Sequence, residues 1–105
     1  MTDKNEVITI PDKGLEEAIK YELNLNPNYE ITKDNIKSLR WLDASNKGIL
    51  DLAGLDNAIN LEELYLGYNQ IEDISTLSEL TNLKILNLSN NQIQDIKVLS
   101  DLINL

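Results

Sequence analysis

The chain has 105 residues and carries 18 acidic against 9 basic side chains, which gives a formal net charge of −9. This charge repels phosphate backbones and anionic membrane surfaces, so we expect no nucleic-acid partner. Histidine and cysteine are absent, which removes the commonest general base, the thiol nucleophile and the usual zinc ligands. We therefore expect no enzyme, no cofactor and no metal site.

The sequence contains no recognisable targeting segment. Apolar runs stay shorter than 18 residues, so no membrane insertion is predicted. The opening MTDKNEVITIPDK lacks the basic and hydrophobic parts of a signal peptide. Two alternatives stay open: a cytoplasmic protein, or a sequence from which an export signal has been removed.

Residues 1–38 do not share the periodicity of the rest of the chain, and they are predicted to form an N-terminal cap. Val7–Ile10 alternate through β-branched residues, which predicts a short strand ended by Pro11. Asp12 offers an N-cap to an amphipathic helix over Lys13–Leu23. The apolar stripe of this helix contains Leu15, Ala18, Ile19 and Leu23.

A second, shorter helix is predicted after the Asn/Pro-rich turn Asn24–Asn28. Thr32 and Asp34 are expected to open it, and Ile36 and Leu39 are expected to face inward. We expect the two helices to cover the core that the first repeat would otherwise expose.

The remaining chain is organised by a 22-residue repeat. Leu61–Asn82 and Leu83–Asn104 are identical at 12 of 22 aligned positions, most of them apolar. Residues 39–60 form a degenerate first unit, so the segment 39–105 holds about three repeats in one continuous domain with the cap. Stacking is obligatory, because one such unit cannot bury its apolar side alone.

The spacing LxxLxLxxNxI within each unit is the signature of leucine-rich repeats. In Leu64-Tyr65-Leu66 the alternation sends both leucines inward and the tyrosine outward, as in a strand. We predict an α/β fold, a right-handed leucine-rich repeat solenoid. It has a short parallel sheet on the concave face, an irregular or 3₁₀ convex side and a helical N-terminal cap.

Asn69 and Asn91 recur where the chain turns away from the predicted sheet. An amide that both donates and accepts fits the backbone groups left unpaired there, so we interpret these residues as a structural ladder rather than a binding site. Lys47 replaces the asparagine in the first repeat, where we expect neighbouring Asn46 to take over part of its role.

Asp51, Asp73 and Asp95 also align across the repeats. Three stacked carboxylates suit a calcium ion, but each also lies where the chain enters the convex segment. We favour the second interpretation, in which each aspartate accepts from free backbone N–H groups as a helix N-cap does.

If the array binds a partner, the side chains beside the inward leucines form its binding surface on the concave face. The predicted binding residues are Trp41, Asp43, Glu63, Tyr65, Tyr68, Ile85 and Asn87. Exposed aromatic residues beside a complete core fit the profile of interface hot spots. The alternatives are that Trp41 packs on the cap and that the tyrosines fill gaps between longer neighbours.

Ser45 near Lys47 is the single arguable nucleophile and base pair. Both residues lie in the degenerate first repeat, with no third group to orient them and no Gly-rich phosphate loop. We therefore expect no catalysis.

The units NQIEDISTLSELTNL and NQIQDIKVLSDLINL resemble the 22-residue repeats of bacterial internalins. The segments IPDKGLEEAIKYEL and ITKDNIKSLRWLDASNKGILDLAGLDNAINL are similar to an internalin-type N-terminal cap. The repeats alone are also similar to the phosphatase-regulator class of eukaryotic leucine-rich repeats. The internalin resemblance implies a secreted or cell-surface module whose concave face binds a protein, and it does not fix the ligand.

Two further expectations concern the C-terminal end of the chain. The sequence stops at Leu105, the first residue of a fourth repeat, so we expect a fragment without a C-terminal cap. The open edge of Leu86–Leu88 favours a homodimer through the last repeat, and so do four apolar residues that we expect to be uncovered: Leu99, Leu102, Ile103 and Leu105. The alternative to binding is an engineered or structural scaffold, but Glu63/Ile85 and Tyr65/Asn87 differ along the concave face, which favours recognition.

Overall fold

Three short strands, one from each repeat, form a parallel sheet. The computed structural model describes residues 5–102, without the side chain of Asp101. The elements in chain order are helix α1 (Lys13–Glu22), helix α2 (Lys33–Ile36), strand β1 (Trp41–Asp43), a 3₁₀ helix (Leu55–Asn57), strand β2 (Glu63–Tyr65), a second 3₁₀ helix (Ser75–Glu79), strand β3 (Ile85–Asn87) and a third 3₁₀ helix (Lys97–Asp101). This order confirms the predicted leucine-rich repeat solenoid.

The register of the sheet follows the 22-residue spacing. Leu42, Leu64 and Leu86 are direct partners in the order β1-β2-β3. Leu64 and Leu66 are fully buried, whereas Tyr65 between them is half-buried on the opposite face. Buried apolar residues of the cap and of the repeats form one continuous core, so the solenoid has no internal break.

Helix α1 begins at the predicted position, because Asp12 Oδ1 accepts a hydrogen bond from the Leu15 N–H at 3.2 Å. The helix ends at Glu22, and Leu23 is its C-cap rather than its last residue. The buried residues of the helix are Leu15, Ala18 and Ile19. Amphipathic spacing therefore located the inward face, and the helix end differs from the prediction by one residue.

Helix α2 is held by a capping box. The Asn35 N–H donates to Thr32 Oγ1 at 3.2 Å, and the Thr32 N–H donates to Asn35 Oδ1 at 2.9 Å. These two bonds satisfy free backbone donors reciprocally, which stabilises a helix of a single turn. Ile36 and Leu39 are buried, as predicted.

The predicted strand over Val7–Ile10 is wrong. Its first residue makes an isolated antiparallel bridge with Thr32, and the Ile8 N–H donates to the Ile31 carbonyl at 2.8 Å. In this register Thr9 and Ile10 would face Glu30 and Tyr29, but the chain turns there, and the Tyr29 N–H donates to the Asn26 carbonyl at 2.9 Å. The pairing therefore does not extend toward Ile10. The segment stays extended but forms no sheet.

Asp12 also joins the cap to the first repeat. Its Oδ2 accepts from the backbone N–H groups of Leu50 at 2.9 Å and Asp51 at 3.2 Å. The two backbones also approach closely, because a side chain at Gly14 would collide with the Lys47 carbonyl. One carboxylate therefore starts α1 and fixes it against the repeat array.

Asn69 connects the first and second repeats through its buried side chain. Its Oδ1 accepts from the N–H groups of Lys47 and Ile49, both at 2.9 Å. Its Nδ2 donates to the carbonyls of Ala44 and Leu66, also at 2.9 Å. The amide thus supplies both donors and acceptors to a turn whose backbone is closed off from water.

Asn91 makes the equivalent bonds one repeat later. Its Oδ1 accepts from the Ile71 N–H at 3.0 Å, and its Nδ2 donates to the Leu66 carbonyl at 2.8 Å. The expectation that Asn46 takes this role in the first repeat is wrong. Asn46 is exposed in the left-handed region, and within residues 5–102 its side chain makes no hydrogen bond. The carboxylate of Asp12 binds the backbone of that repeat at Leu50 and Asp51, which the asparagine ladder does not contact.

Candidate functional site

The concave face consists of the side chains of β1–β3 that point away from the core, together with Tyr68 just after β2. The register aligns one row of Trp41, Glu63 and Ile85 and a second row of Asp43, Tyr65 and Asn87. Neighbouring strands of a sheet lie about 4.8 Å apart, so the members of each row are side by side. The structure therefore brings together the residues that the sequence marked for binding.

Trp41 of β1 and Tyr65 of β2 form an aromatic pair on this face. Their ring centroids are 5.9 Å apart and the ring planes are inclined at 52°. This separation lies within the usual range of favourable aromatic pairs, about 4.5–7 Å. The Tyr65 hydroxyl donates to Glu63 Oε1 at 2.9 Å, and Trp41 keeps 42% of its surface exposed. The pair therefore presents oriented aromatic surface to solvent.

Two titratable groups on this face have shifted pKa values. The hydrogen bond to Glu63 raises the pKa of the Tyr65 hydroxyl, because the carboxylate holds the phenolic proton. Hydrogen bonds from Ser45 lower the pKa of Asp43. At neutral pH the face therefore offers a neutral phenol and a charged carboxylate in one row.

Tyr68 lies in the left-handed region, with φ at 59°. The equivalent residues of the other repeats are Asn46 at 56° and Asn90 at 57°, and asparagine tolerates this conformation far better than a bulky residue. The Tyr68 N–H donates to the Ser89 carbonyl at 2.9 Å, so the turn geometry is imposed by the repeat. The array therefore holds an exposed tyrosine in a strained backbone position.

The third repeat contributes a different surface from the second. Ile85 is 45% exposed in the row of Trp41, where the second repeat has Glu63. Asn87 Oδ1 accepts from the N–H of Ser89 at 3.0 Å and from its hydroxyl at 2.7 Å. Toward the third repeat the first row therefore exchanges a carboxylate for an aliphatic side chain, and the second row exchanges a phenol for an amide.

Trp41 also lies between two open recesses at the C-terminal end of α1. The first has a volume of about 290 Å³ and is lined by Ala18, Tyr21, Glu22, Trp41, Asp43, Ser45 and Lys47. The second has a volume of about 300 Å³ and is lined by Glu22, Leu23, Ser38, Leu39, Arg40 and Trp41. The indole is thus next to the cap, as one alternative held, and it remains partly open to solvent.

Tyr21 and Glu22 were missed by sequence reasoning. Tyr21 is 86% exposed. The one sequence feature that could have marked it as a binding residue is its position as an aromatic residue on the charged side of α1. Its approach to the concave face depends on how the cap packs against the first repeat, which no local pattern encodes.

Ser45 and Lys47 both line the first recess, which is open to solvent rather than a deep cleft. The Ser45 N–H donates to Asp43 Oδ1 at 3.0 Å, which fixes the turn. A nucleophile needs a base within hydrogen-bond reach, and no hydrogen bond between Ser45 and Lys47 occurs in the described part of the chain. The geometry gives this pair no catalytic arrangement.

The three aligned aspartates bind their own turns. Asp51, Asp73 and Asp95 each accept from the backbone N–H two residues later, at 2.9 Å. Hydrogen bonding from Ser75 lowers the pKa of Asp73. Among residues 5–102 no group of three or more His, Cys, Asp or Glu side chains is placed to hold a metal ion.

Comparison with known proteins supports the repeat assignment. A family model for leucine-rich repeats in two copies matches residues 37–79, and a second leucine-rich repeat model matches residues 79–96. Together these matches span more than half of the chain. No curated protein matches the sequence significantly.

Comparison with solved structures indicates which type of leucine-rich repeat the chain contains. The structure of the CBM51-2 and INT domains of Clostridium perfringens ZmpB has a TM-score of 0.74 and 43% identity, over 82% of this chain and 18% of that one. The internalin inlF of Listeria monocytogenes has a TM-score of 0.87 and 35% identity, over 91% of this chain and 28% of that one. The L. monocytogenes internalin C2 has a TM-score of 0.88 and 26% identity, over 99% of this chain and 49% of that one.

The chain therefore spans less than half the length of each of these relatives. The resemblance expected from the cap and repeat segments is confirmed by them. The repeat models and the internalin structures agree on the type of array, and the chain belongs to the bacterial internalin-like leucine-rich repeat proteins.

Proposed function

We propose that this chain is a protein-recognition module that binds its partner through the concave face. The observation that carries the proposal is the collection of exposed aromatic and aliphatic side chains on that face, beside leucines that are already buried. These side chains are Trp41, Tyr65, Tyr68 and Ile85. Large aromatic residues at the centre of a patch supply most of the binding energy in protein interfaces.

The backbone strain at Tyr68 supports the same proposal. A non-glycine residue in the left-handed region costs of order 1–3 kcal/mol and persists where the surrounding structure enforces it, often at functional sites. Asparagine at this position in the neighbouring repeats shows which residue relieves the cost. A tyrosine that buries little of its own surface gains nothing for the core, so contact with a partner is the compensating role we assign to it.

The polar residues of the face would orient that partner. Asp43 and Glu63 are carboxylates, and Asn87 offers an amide, beside the aromatic pair. Complementary charges across an interface increase association rates and exclude wrong partners more than they add affinity. Nucleic acid is disfavoured by the chain's net charge of −9.

A scaffold without a ligand of its own is the alternative. Such a scaffold would tend to repeat the same residues along each row of the face. The rows instead change from Glu63 to Ile85 and from Tyr65 to Asn87, although the inward leucines and isoleucines of the same repeats are identical. The outward positions of the strands vary while the apolar core positions are kept, which supports recognition.

We further propose that the module has no catalytic activity, metal or cofactor and acts outside the cell or at its surface. Leucine-rich repeat proteins of the internalin type are typically non-enzymatic, and the surface or secreted location is that of the internalin-like relatives. Within the described part of the chain, no helix is long and apolar enough to cross a membrane.

The outer end of the array is a second proposed association surface. Ile96 is 66% exposed there, whereas its equivalent Ile74 in the preceding repeat is 1% exposed. We propose that a second copy of the chain covers this end. The expectation that Leu102 is uncovered is wrong, because it is 4% exposed, and Leu99 is half-buried. Ile103 and Leu105, also expected there, lie outside the described residues.

Recognition through the concave face is tested by comparing two double variants. Tyr65→Ala with Tyr68→Ala removes the proposed anchors, and Leu50→Ala with Ile59→Ala removes exposed apolar side chains outside that face. A partner is captured with the wild-type chain from candidate extracts, purified and titrated by calorimetry. The first variant should lose about 2 kcal/mol or more of binding free energy, and the second should bind normally. Unchanged affinity of the first variant would refute the proposal.

A further inference from the structure

We propose that the recess between α1 and β1 binds an arginine or lysine side chain of the protein partner. The inference rests on the recognition function proposed above, since it names the chemistry of the partner at one corner of the concave face. It predicts a basic segment rather than an acidic or neutral one.

The recess is built by two elements that converge on Trp41. The last turn of α1 supplies Tyr21 and Glu22, and the outward positions of β1 supply Trp41 and Asp43. Tyr21 is 86% and Trp41 is 42% exposed, so both rings remain available to a ligand. Two aromatic rings and two carboxylates therefore surround one solvent-filled space.

Three features of this space favour a positive charge. A guanidinium or ammonium group over the face of an indole gains about 0.5–1 kcal/mol at an exposed site and more when water is excluded. Glu22 and Asp43 add two negative charges beside the ring, and within the described residues Glu22 makes no ion pair. The C-terminal end of α1 adds the negative end of the helix dipole.

Lys47 is the one cationic residue among those that line this recess. Its single charge acts on Asp43, and its long, exposed side chain is free to turn toward solvent when a second cation approaches. The net charge of −9 on the whole chain keeps the surrounding potential negative. The electrostatic potential at the recess therefore still favours a bound cation.

The second recess beside Trp41 shares Glu22 and the indole but contains neither Tyr21 nor Asp43. Arg40 lines it and forms an ion pair with Glu62 at 3.1 Å, so an incoming cation would meet a fixed positive charge. The preference for a basic side chain is therefore assigned to the recess of Tyr21 and Asp43 alone.

The experiment uses the single tryptophan of the chain as its reporter. The full chain is titrated with an acetylated nonapeptide that carries three arginines between glycine and serine residues, and the emission of Trp41 is recorded. The control peptide has citrulline, the neutral analogue of arginine, at the same three positions. We expect a saturable change in emission, with the arginine peptide binding about fivefold tighter or better.

Matched variants separate the recess from the overall charge. Glu22→Gln and Asp43→Asn should each weaken the arginine peptide by about threefold or more. Glu17→Gln removes the same charge from the same helix at an exposed residue outside the recess, and it should change the affinity by less than about twofold.

Three results would overturn the inference. Equal losses in Glu22→Gln and Glu17→Gln would mean that the peptide senses net charge alone. Equal binding of the citrulline peptide would mean stacking without charge recognition, and tighter binding of a neutral oligosaccharide would assign the aromatic pair to sugars. Partner binding that still depends on Tyr65 and Tyr68 would leave the recognition function intact in each case.

Discussion

The side-chain amide of Asn69 donates to the carbonyl of Ala44 at 2.9 Å, across the boundary between the second and first repeats. The same amide accepts two backbone N–H groups of the first repeat. Asn69 is 6% exposed, so water cannot take over these bonds. The turns of adjacent repeats are therefore held in register by one side chain.

Replacement of Asn69 by leucine should destabilise the solenoid by roughly 1–3 kcal/mol, because backbone groups would stay buried without partners. Urea unfolding followed by far-ultraviolet circular dichroism measures the change. Asn91→Leu is the matched control and should cost less, since Asn91 is half-buried and water can replace part of its role. An unfolding midpoint equal to that of the wild type would show that the asparagine ladder does not stabilise the array.

Replacement of Tyr68 by asparagine should increase stability while it weakens partner binding. Asparagine tolerates the left-handed conformation, so relief of strain should add about 0.5–1 kcal/mol to the free energy of unfolding. Tyr68→Ala is the control, because it removes the ring and keeps a residue that the conformation disfavours. If asparagine and alanine lowered stability equally, the tyrosine would be a packing residue and the strain argument would fail.

The repeat periodicity was enough to predict the inward leucines, the parallel rows and the positions of Asn69 and Asn91. These features depend on spacing within one chain segment, which the sequence displays directly. The double role of Asp12, the conformation of Tyr68 and the approach of Tyr21 to Trp41 were not predictable in this way. Each of these features depends on how one repeat packs against another repeat or against the cap. A local sequence pattern does not encode that packing.

The error at Val7–Ile10 has the same physical origin. Alternation of β-branched residues correctly indicates which side chains point inward, since Ile8 and Ile10 are buried. A strand also requires a partner backbone of matching length. The segment that would face Thr9 and Ile10 is a turn that ends at Tyr29, so one bridge is all that forms.

The hydrogen bond between Asp73 and the Ser75 N–H, at 2.9 Å, makes stability depend on pH. This bond lowers the pKa of Asp73 below the ordinary value of 3.8, so the unfolded chain takes up the proton first as pH falls. The stabilisation is complete above the ordinary pKa and is lost as pH falls through the lower, folded-state value.

Asp73→Ala should therefore be less stable than the wild type at pH 7, and the difference should shrink below pH 3.8. Urea unfolding at a series of pH values measures it. Glu79→Ala is the control, because the Glu79 carboxylate accepts no hydrogen bond within residues 5–102. A difference that stayed constant across this range would exclude the carboxylate bond as its cause.

The last prediction concerns the outer end of the array, where Ile96 is 66% exposed and Leu86 and Leu88 are half-buried. The outer edge of β3 has no strand beside it among the described residues, and an unpaired parallel edge is a template for another chain. Burial of an apolar side chain contributes about 1.5–3 kcal/mol when it is complete. We expect self-association through this end, as a two-fold dimer or an exchanged arrangement.

Sedimentation velocity at rising concentration tests this expectation. The wild type should shift toward a dimer, whereas Ile96→Asp should remain monomeric, because a charge at the centre of the contact would have to be desolvated. Leu50→Asp, which places the same charge at an exposed apolar position in the first repeat, should associate like the wild type. A wild type that stays monomeric at several hundred micromolar would mean that this end does not bind a second copy. If both aspartate variants were equally monomeric, added negative charge in general, rather than loss of a contact at the third repeat, would explain the result.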